Sequence, residues 1–272
     1  VRLAGFVAGS VAEPLREVQA AMARVERGAF DVQCEVVSND EIGAVAEGFN
    51  RMVEGLRERE SMRETFGKYV SPEVRDEILA GRASLASGLR EVTILFADLR
   101  DFTPWVESHP AAEVVADLNA YFAEMDAAIR AHGGLVLQFI GDEIEAVFGA
   151  PIEDPRHAEA AVQAALEMRR RLDAWNEVRR AAGKAALRHG IGIHTGTVIA
   201  GNIGSSERLS YALVGDAVNL TSRIQALNKD FGTQILISSA TRALLGATYA
   251  LNPLPAVRVK GRSAEVEVFS LE

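Results

Sequence analysis

Residues 92–103 read Val-Thr-Ile-Leu-Phe-Ala-Asp-Leu-Arg-Asp-Phe-Thr. The first six form a continuous apolar run rather than an alternating one, the pattern of a strand buried on both faces. The run ends at Asp98, so a carboxylate sits at the C-terminal end of a buried strand, where open α/β sheets bind ligands. This stretch fixes the class of the C-terminal half as sheet with helices packed on it.

The pattern outward from Asp98 agrees. Val115, Leu118, Phe122, Met125 and Ile129 mark an amphipathic helix stopped at Gly133-Gly134. Strands are predicted over 135–140 and 144–148, separated by Gly141-Asp142-Glu143, which reads as a hairpin. A long helix is expected over 156–182, strands around Ile191, Ile193 and Val198, and a helix over 216–227. A strand over 234–238, a helix over 239–245 and a closing pair near 256–260 and 265–270 complete an α+β domain over residues 90–272.

With 29 Lys and Arg against 38 Asp and Glu, the net charge of −9 argues against a nucleic-acid binder, which needs a basic footprint. The single cysteine, Cys34, excludes an internal disulfide and a thiolate metal cluster and fits a reducing compartment. No apolar run reaches the roughly 18 residues of a membrane span.

Residues 1–58 follow another rule. Leu15, Val18, Met22 and Val25, then Ile42, Val45, Phe49, Met52 and Leu56, recur at alternating steps of three and four, the spacing of a coiled-coil seam. Pro14 suits a helix start, Gly28 a helix end, and Ser38, Asn39 and Asp40 offer capping oxygens for the second helix. Between them 29–37 is an extended connector in which Phe30, Val32 and Val37 can pack. Two such helices cannot bury a core alone, so a dimeric four-helix bundle from two copies is expected. With the Asp40-Glu41-Ile42-Gly43 run leading to Phe49-Asn50 and Met52, this segment resembles a HAMP signal-transduction domain. The seam lapses at Arg59 and Arg63 and restarts at Met62, Phe66 and Tyr69 in a shifted phase, predicting a linker over 59–89 with two alternative packings. Within it, Ser71-Pro72 is expected to start a short helix ending at Gly81.

Several residues carry chemistry. Asp98 and Asp142, brought together by adjacent strands, would repel each other unless a hard divalent cation bridged them. Asn219 and Arg223 are four apart on the predicted helix and share a face suited to oxygen and phosphate recognition. Lys260 places a cation after a strand.

Together these pieces resemble a class III nucleotidyl cyclase catalytic domain across 90–272. The matching motifs are Phe96-Ala97-Asp98-Leu99 with Phe102-Thr103; Phe139-Ile140-Gly141-Asp142; Gly190-Ile191-Gly192-Ile193-His194-Thr195-Gly196; Tyr211; Gly215-Asp216-Ala217-Val218-Asn219 with Arg223; and Val259-Lys260-Gly261. The resemblance implies a ferredoxin-like, palm-type domain in which Asp98, Asp142 and the carbonyl of Leu99 hold two Mg²⁺ or Mn²⁺ ions. It implies that Asn219 orients the ribose, that Arg223 stabilises the transition state, and that Lys260, Arg208 and amides around Phe102 and Thr103 grip the outer phosphates. In this family a homodimer builds composite sites from two chains. His194 reads as a core histidine.

Base selection is where the pattern departs. Adenylyl members usually carry Lys where this chain has Gln138, and Asp or Thr where it has Ala212; guanylyl members usually have Glu and Cys. A Gln amide could serve either base, and Ala212 offers no side-chain partner. The expected reaction is ATP to cyclic AMP, with GTP to cyclic GMP and a catalytically silent nucleotide-binding module as alternatives. A diguanylate cyclase is a further alternative, since Gly141-Asp142-Glu143 is similar to that family's hairpin, although the Asn219/Arg223 helix argues against it. HAMP segments normally follow a transmembrane helix, and the chain opens on Val1. A sensor span upstream and a place at the cytoplasmic face of the membrane are therefore expected.

Overall fold

The computed structural model describes residues 12–35, 40–67, 87–205, 209–259 and 265–272, with 58–67 and 209 by backbone alone. The chain divides into two compact units, 1–70 and 71–272.

The first unit contains helices α1 (Glu13–Glu26) and α2 (Glu41–Gly67). Pro14 lies in the first turn of α1, and Gly28 follows its end at φ +85°, a left-handed conformation that glycine adopts without a Cβ clash. Asp40 caps α2, its Oδ1 accepting from the amides of Ile42 (3.0 Å) and Gly43 (3.2 Å). Ser38, Asn39 and Val37 lie outside the described residues. The connector is pinned by Asn50, whose amide exchanges two 2.8 Å hydrogen bonds with the backbone of Cys34. The seam divides into two stripes. Val18, Phe49 and the additional residues Ala21, Val32, Cys34, Ala46 and Val53 are buried together. Leu15, Met22, Val45 and Met52 stay exposed, in pairs seven residues apart on each helix. The helix α2 continues unbroken to Gly67, through the expected phase shift. The short helix expected to end at Gly81 lies outside the described residues.

The second unit is built on an eight-stranded sheet ordered β2-β3-β1-β4-β6-β8-β7, with β5 paired to β4. Its elements are β1 (Gly88–Leu99), α3 (Phe102–Ser108), α4 (Ala111–Ala131), β2 (Leu135–Ile140), β3 (Glu143–Phe148), α5 (His157–Ala181), β4 (His189–Gly204), β5 (Leu209–Val214), α6 (Asp216–Phe231), β6 (Ile235–Ser238), α7 (Ser239–Ala243), β7 (Leu251–Pro253) and β8 (Val268–Leu271). The βαββαβ order with β2-β3-β1-β4 adjacency is ferredoxin-like. Residues 92–97 of β1 are all buried. Leu95, Ala97, Leu99, Ile144, Ala146 and Phe148 pack with α4 and α5 on one face. On the other, Leu220 and Ile224 of α6 pack with Leu236, Val266 and Val268.

Several elements differ from expectation. The apolar stripe of α4 is rotated in its first half only: Met125 and Ile129 are buried as expected and Leu118 and Phe122 pack half-buried on the core, but Val114 and Tyr121 are buried and Val115 is exposed. The rotation is possible because Asp117, on the buried side, pairs with Arg179 (2.8 Å) and Lys184 (3.0 Å), so a carboxylate can occupy a core-facing position. The strands around 191–198 are one 16-residue strand, and β5 and α3 are additional. The closing pair is β7 with β8, while Val257 and Val266 form only an isolated bridge. Among the described residues, no helix is long and apolar enough to cross a membrane.

Candidate active site

The antiparallel register of β1 and β3, with Ala97 opposite Ile144, carries Asp98 to the end of β1 beside Asp142 in the β2–β3 turn. Gly141 makes that turn possible at φ +65°. Asp98 and Asp142 share a side-chain hydrogen bond. Burial pushes the Asp98 carboxyl up, the hydrogen bond and the charges of Asp142 and Glu143 push it further, and Arg100 pulls it partly back, leaving it at about 7.

The pair opens onto a cleft of about 790 Å³ whose lining includes Asp98, Leu99, Phe102, Thr103 and Asp142, five of the residues singled out from sequence. Three cations that sequence reasoning passed over, Arg100, Arg188 and Lys229, line it too. Arg100 donates through Nη2 to the Thr233 carbonyl at 2.9 Å, and its guanidinium lies over Gly190, where a Cβ would sit 3.0 Å from Nη2. Arg188 pairs with Asp101 at 2.9 Å, and Asp101 adopts φ +57°. The signal for these arginines was available: Arg100 sits in the decisive stretch, and Arg188 precedes the strand whose Gly190 is opposite Asp98. Also lining the cleft is His189, buried and beside the Tyr121 hydroxyl (3.2 Å to Nδ1); burial, with the charges of Arg100 and Arg169, lowers it to about 3 and keeps it neutral.

The remaining expected residues that the structure describes do not line this cleft. Asn219 is exposed and Arg223 half-buried on α6. Their placement follows from glycine: a Cβ on Gly192 would lie 2.3 Å from the Gln225 amide nitrogen, and one on Gly196 3.0 Å from the Ala217 Cβ. Hydrogen bonds from Gln225 to the Gly190 carbonyl (3.1 Å) and from Asn228 to that of Ile191 (2.8 Å) fix the register of α6 on β4. Gln138 is exposed on β2 and donates through Nε2 to Glu145 Oε2 at 2.6 Å; Ala212 is half-buried on β5 opposite Gly201. His194, expected in the core, is half-buried instead, its Nδ1 atom lying 2.8 Å from Ser238 Oγ. Arg208 and Lys260 lie outside the described residues. No group of three or more His, Cys, Asp or Glu able to hold a metal occurs among the described residues.

The profile of the adenylate and guanylate cyclase catalytic domain matches residues 86–272. The chain belongs to this family. A HAMP domain precedes the cyclase domain at residues 6–58. Adenylate cyclase 1 of Rhizobium meliloti (strain 1021) is 41% identical over 209 residues, 76% of this chain and 31% of that protein. Among solved structures, the guanylyl cyclase Cya2 is 39% identical with a TM-score of 0.64, covering 68% of this chain and 93% of its own. The adenylyl cyclase CyaB from P. aeruginosa is 30% identical with a TM-score of 0.64, covering 68% and 95%. The chain spans about a third to two fifths of the length of its curated relatives. Solved structures named for either base, a guanylyl and an adenylyl cyclase, thus match the same part of the chain.

Proposed function

We propose that the chain converts ATP to 3′,5′-cyclic AMP and pyrophosphate at sites shared between two copies, under control of the HAMP segment. The observation that carries this is the composition of the cleft: it gathers Asp98, Asp142, Phe102 and Thr103 but neither Asn219 nor Arg223, one half of a catalytic set.

The fit to divalent metal rests on the acids themselves. Two carboxylates close enough to share a hydrogen, one of them held near 7, are set against each other unless positive charge enters between them. Asp98, Asp142 and the Leu99 carbonyl would hold two Mg²⁺ or Mn²⁺ ions, which supply a lowered pKa for the ribose 3′-hydroxyl and neutralise the triphosphate. Asn219 orients the ribose so that its 3′-oxygen faces the α-phosphorus. That oxygen forms the new ester bond as the bond to the β-phosphate bridge breaks, and pyrophosphate leaves. Arg223 stabilises the charge gathering on the α-phosphate. Lys260 and Arg208, with Arg100, Arg188 and Lys229 along the cleft, hold the outer phosphates, a need sharpened by the net charge of −9.

Residues 1–58 form the signal converter, 59–89 the linker and 90–272 the catalytic domain. The exposed Leu15, Met22, Val45 and Met52 are the half-seam that a second copy covers in a four-helix bundle. HAMP segments work beside membranes, which supports a transmembrane sensor in the full-length protein and a site at the cytoplasmic face. The test is the purified chain with Mn²⁺ and ATP or GTP, assayed for cyclic nucleotide and pyrophosphate. Cyclic AMP formation that Asp98→Ala abolishes upholds the reading; no product from either nucleotide refutes it, and product from GTP alone overturns the choice of ATP.

A further inference from the structure

A glutamine facing a purine is ambiguous. In one setting its N–H and C=O meet the N1 acceptor and N6 amine of adenine; rotated by half a turn about its last torsion, they meet the O6 acceptor and N1–H of guanine. With Ala212 contributing no hydrogen-bonding side chain, the selectivity of the cyclase rests heavily on what holds Gln138 in one setting.

The sheet supplies that restraint. Gln138 and Glu145 are opposite each other across β2 and β3, Glu145 is opposite Phe96 across β3 and β1, and Phe96 is opposite Gly192 across β1 and β4. Opposed residues share a face, and Asp98, two positions beyond Phe96, shares it as well. Glu145 is 4% exposed, an acid in the middle of a sheet row that accepts a hydrogen bond from Gln138. Burial pushes its pKa up, and the Gln138 hydrogen bond, which favours the ionised form, offsets that rise only in part. An ionised carboxylate accepts and cannot donate, so the rotated amide would turn Oε1 toward it and leave a buried acceptor unpaired.

We infer that Glu145 is a positioning residue that fixes the amide of Gln138 and so makes the base pocket read one purine and not both. This rests on the reading above that Gln138 faces the base. With one Nε2 hydrogen given to Glu145, the other and Oε1 form a donor–acceptor edge that matches N1 and N6 of adenine.

The test compares kcat/KM and equilibrium Kd for Mn-ATP and Mn-GTP in the wild type, Glu145→Gln, Gln138→Leu and the double variant. The wild type is expected to favour ATP by at least about tenfold, the worth of one misplaced hydrogen bond. Glu145→Gln, which can face either end of the amide, is expected to bring both ratios to within about threefold of unity. Gln138→Leu, at an exposed position, flattens them too, and adding Glu145→Gln then changes nothing more. Unchanged ratios in Glu145→Gln, or an equal change with and without Gln138, would overturn the inference. Turnover and binding separate the two claims: a chain that turns over neither nucleotide refutes the cyclase reading, while its Kd ratio still decides the role of Glu145. A wild type that favours GTP, with the preference lost in Glu145→Gln, upholds the positioning role and overturns the adenine assignment.

Discussion

Asp98, on β1, and Asp142, in the β2–β3 turn, meet through a shared hydrogen bond that, with burial, leaves Asp98 at about 7. Its unfolded value is near 3.8. The folded state therefore keeps a proton between those limits that the unfolded state has lost, and metal-free stability falls as pH rises through that window. Asp142→Asn is expected to raise the melting temperature of the metal-free protein at alkaline pH, by about 2–4 °C per kcal/mol relieved, and to abolish the rise that Mn²⁺ produces. Turnover falls by about three orders of magnitude, the worth of several kcal/mol of metal-borne stabilisation. Calorimetry with and without Mn²⁺ checks both.

Gly192 bears on activity without touching substrate. A methyl group there meets the α6 backbone at 2.3 Å, so Gly192→Ala must push away the helix that carries Asn219 and Arg223. The expected cost is about 1–3 kcal/mol of stability. Below the melting point, kcat is expected to fall more than KM rises. An unchanged kcat would show that the position of α6 is not tuned through this contact.

Asp117 joins α4 to α5 through Arg179 and Lys184. Burial pushes its carboxyl up, but the hydrogen bonds and charges of those two residues outweigh it and hold it below the usual carboxylate range. The stability this adds is present above the unfolded pKa and is lost as pH falls below about 4. Asp117→Asn leaves Arg179 buried without its counter-charge, at a cost of about 3 kcal/mol and a fall of about 6–12 °C in melting temperature. In this variant the acid-dependent loss below about pH 4 is expected to shrink. Thermal melts over that range measure it.

Much of this site is legible in the sequence because its signals are local. The apolar run before Asp98, the glycine of the Gly141-Asp142 turn and the four-residue step from Asn219 to Arg223 each state their own geometry. What sequence misses depends on partners far along the chain. Asp117 can face the core only because of Arg179, 62 positions later by residue number. Thr93 looks like any β-branched strand residue, yet its hydroxyl lies 2.8 Å from His157 Nδ1 and 2.7 Å from Thr195 Oγ1. Glu145 reads as a polar interruption of an apolar strand until the register sets it against Gln138. The strand β5 is not legible in the sequence because Ser210 and Ala212 weaken its apolar signal, and its pairing with β4 is what defines it.

In the proposed cyclase each catalytic site draws Asp98 and Asp142 from one chain and Asn219 and Arg223 from another. Arg223→Ala alone is expected to lower kcat by about 10²–10³-fold, and Asp98→Ala at least as much. Mixing the two inactive variants separates a shared site from a single-chain one. Random pairing makes half the dimers mixed, each with one intact site, so activity should return to about a quarter of the wild-type value. Mixtures no more active than their components would contradict the shared site and return the whole reaction to a single chain.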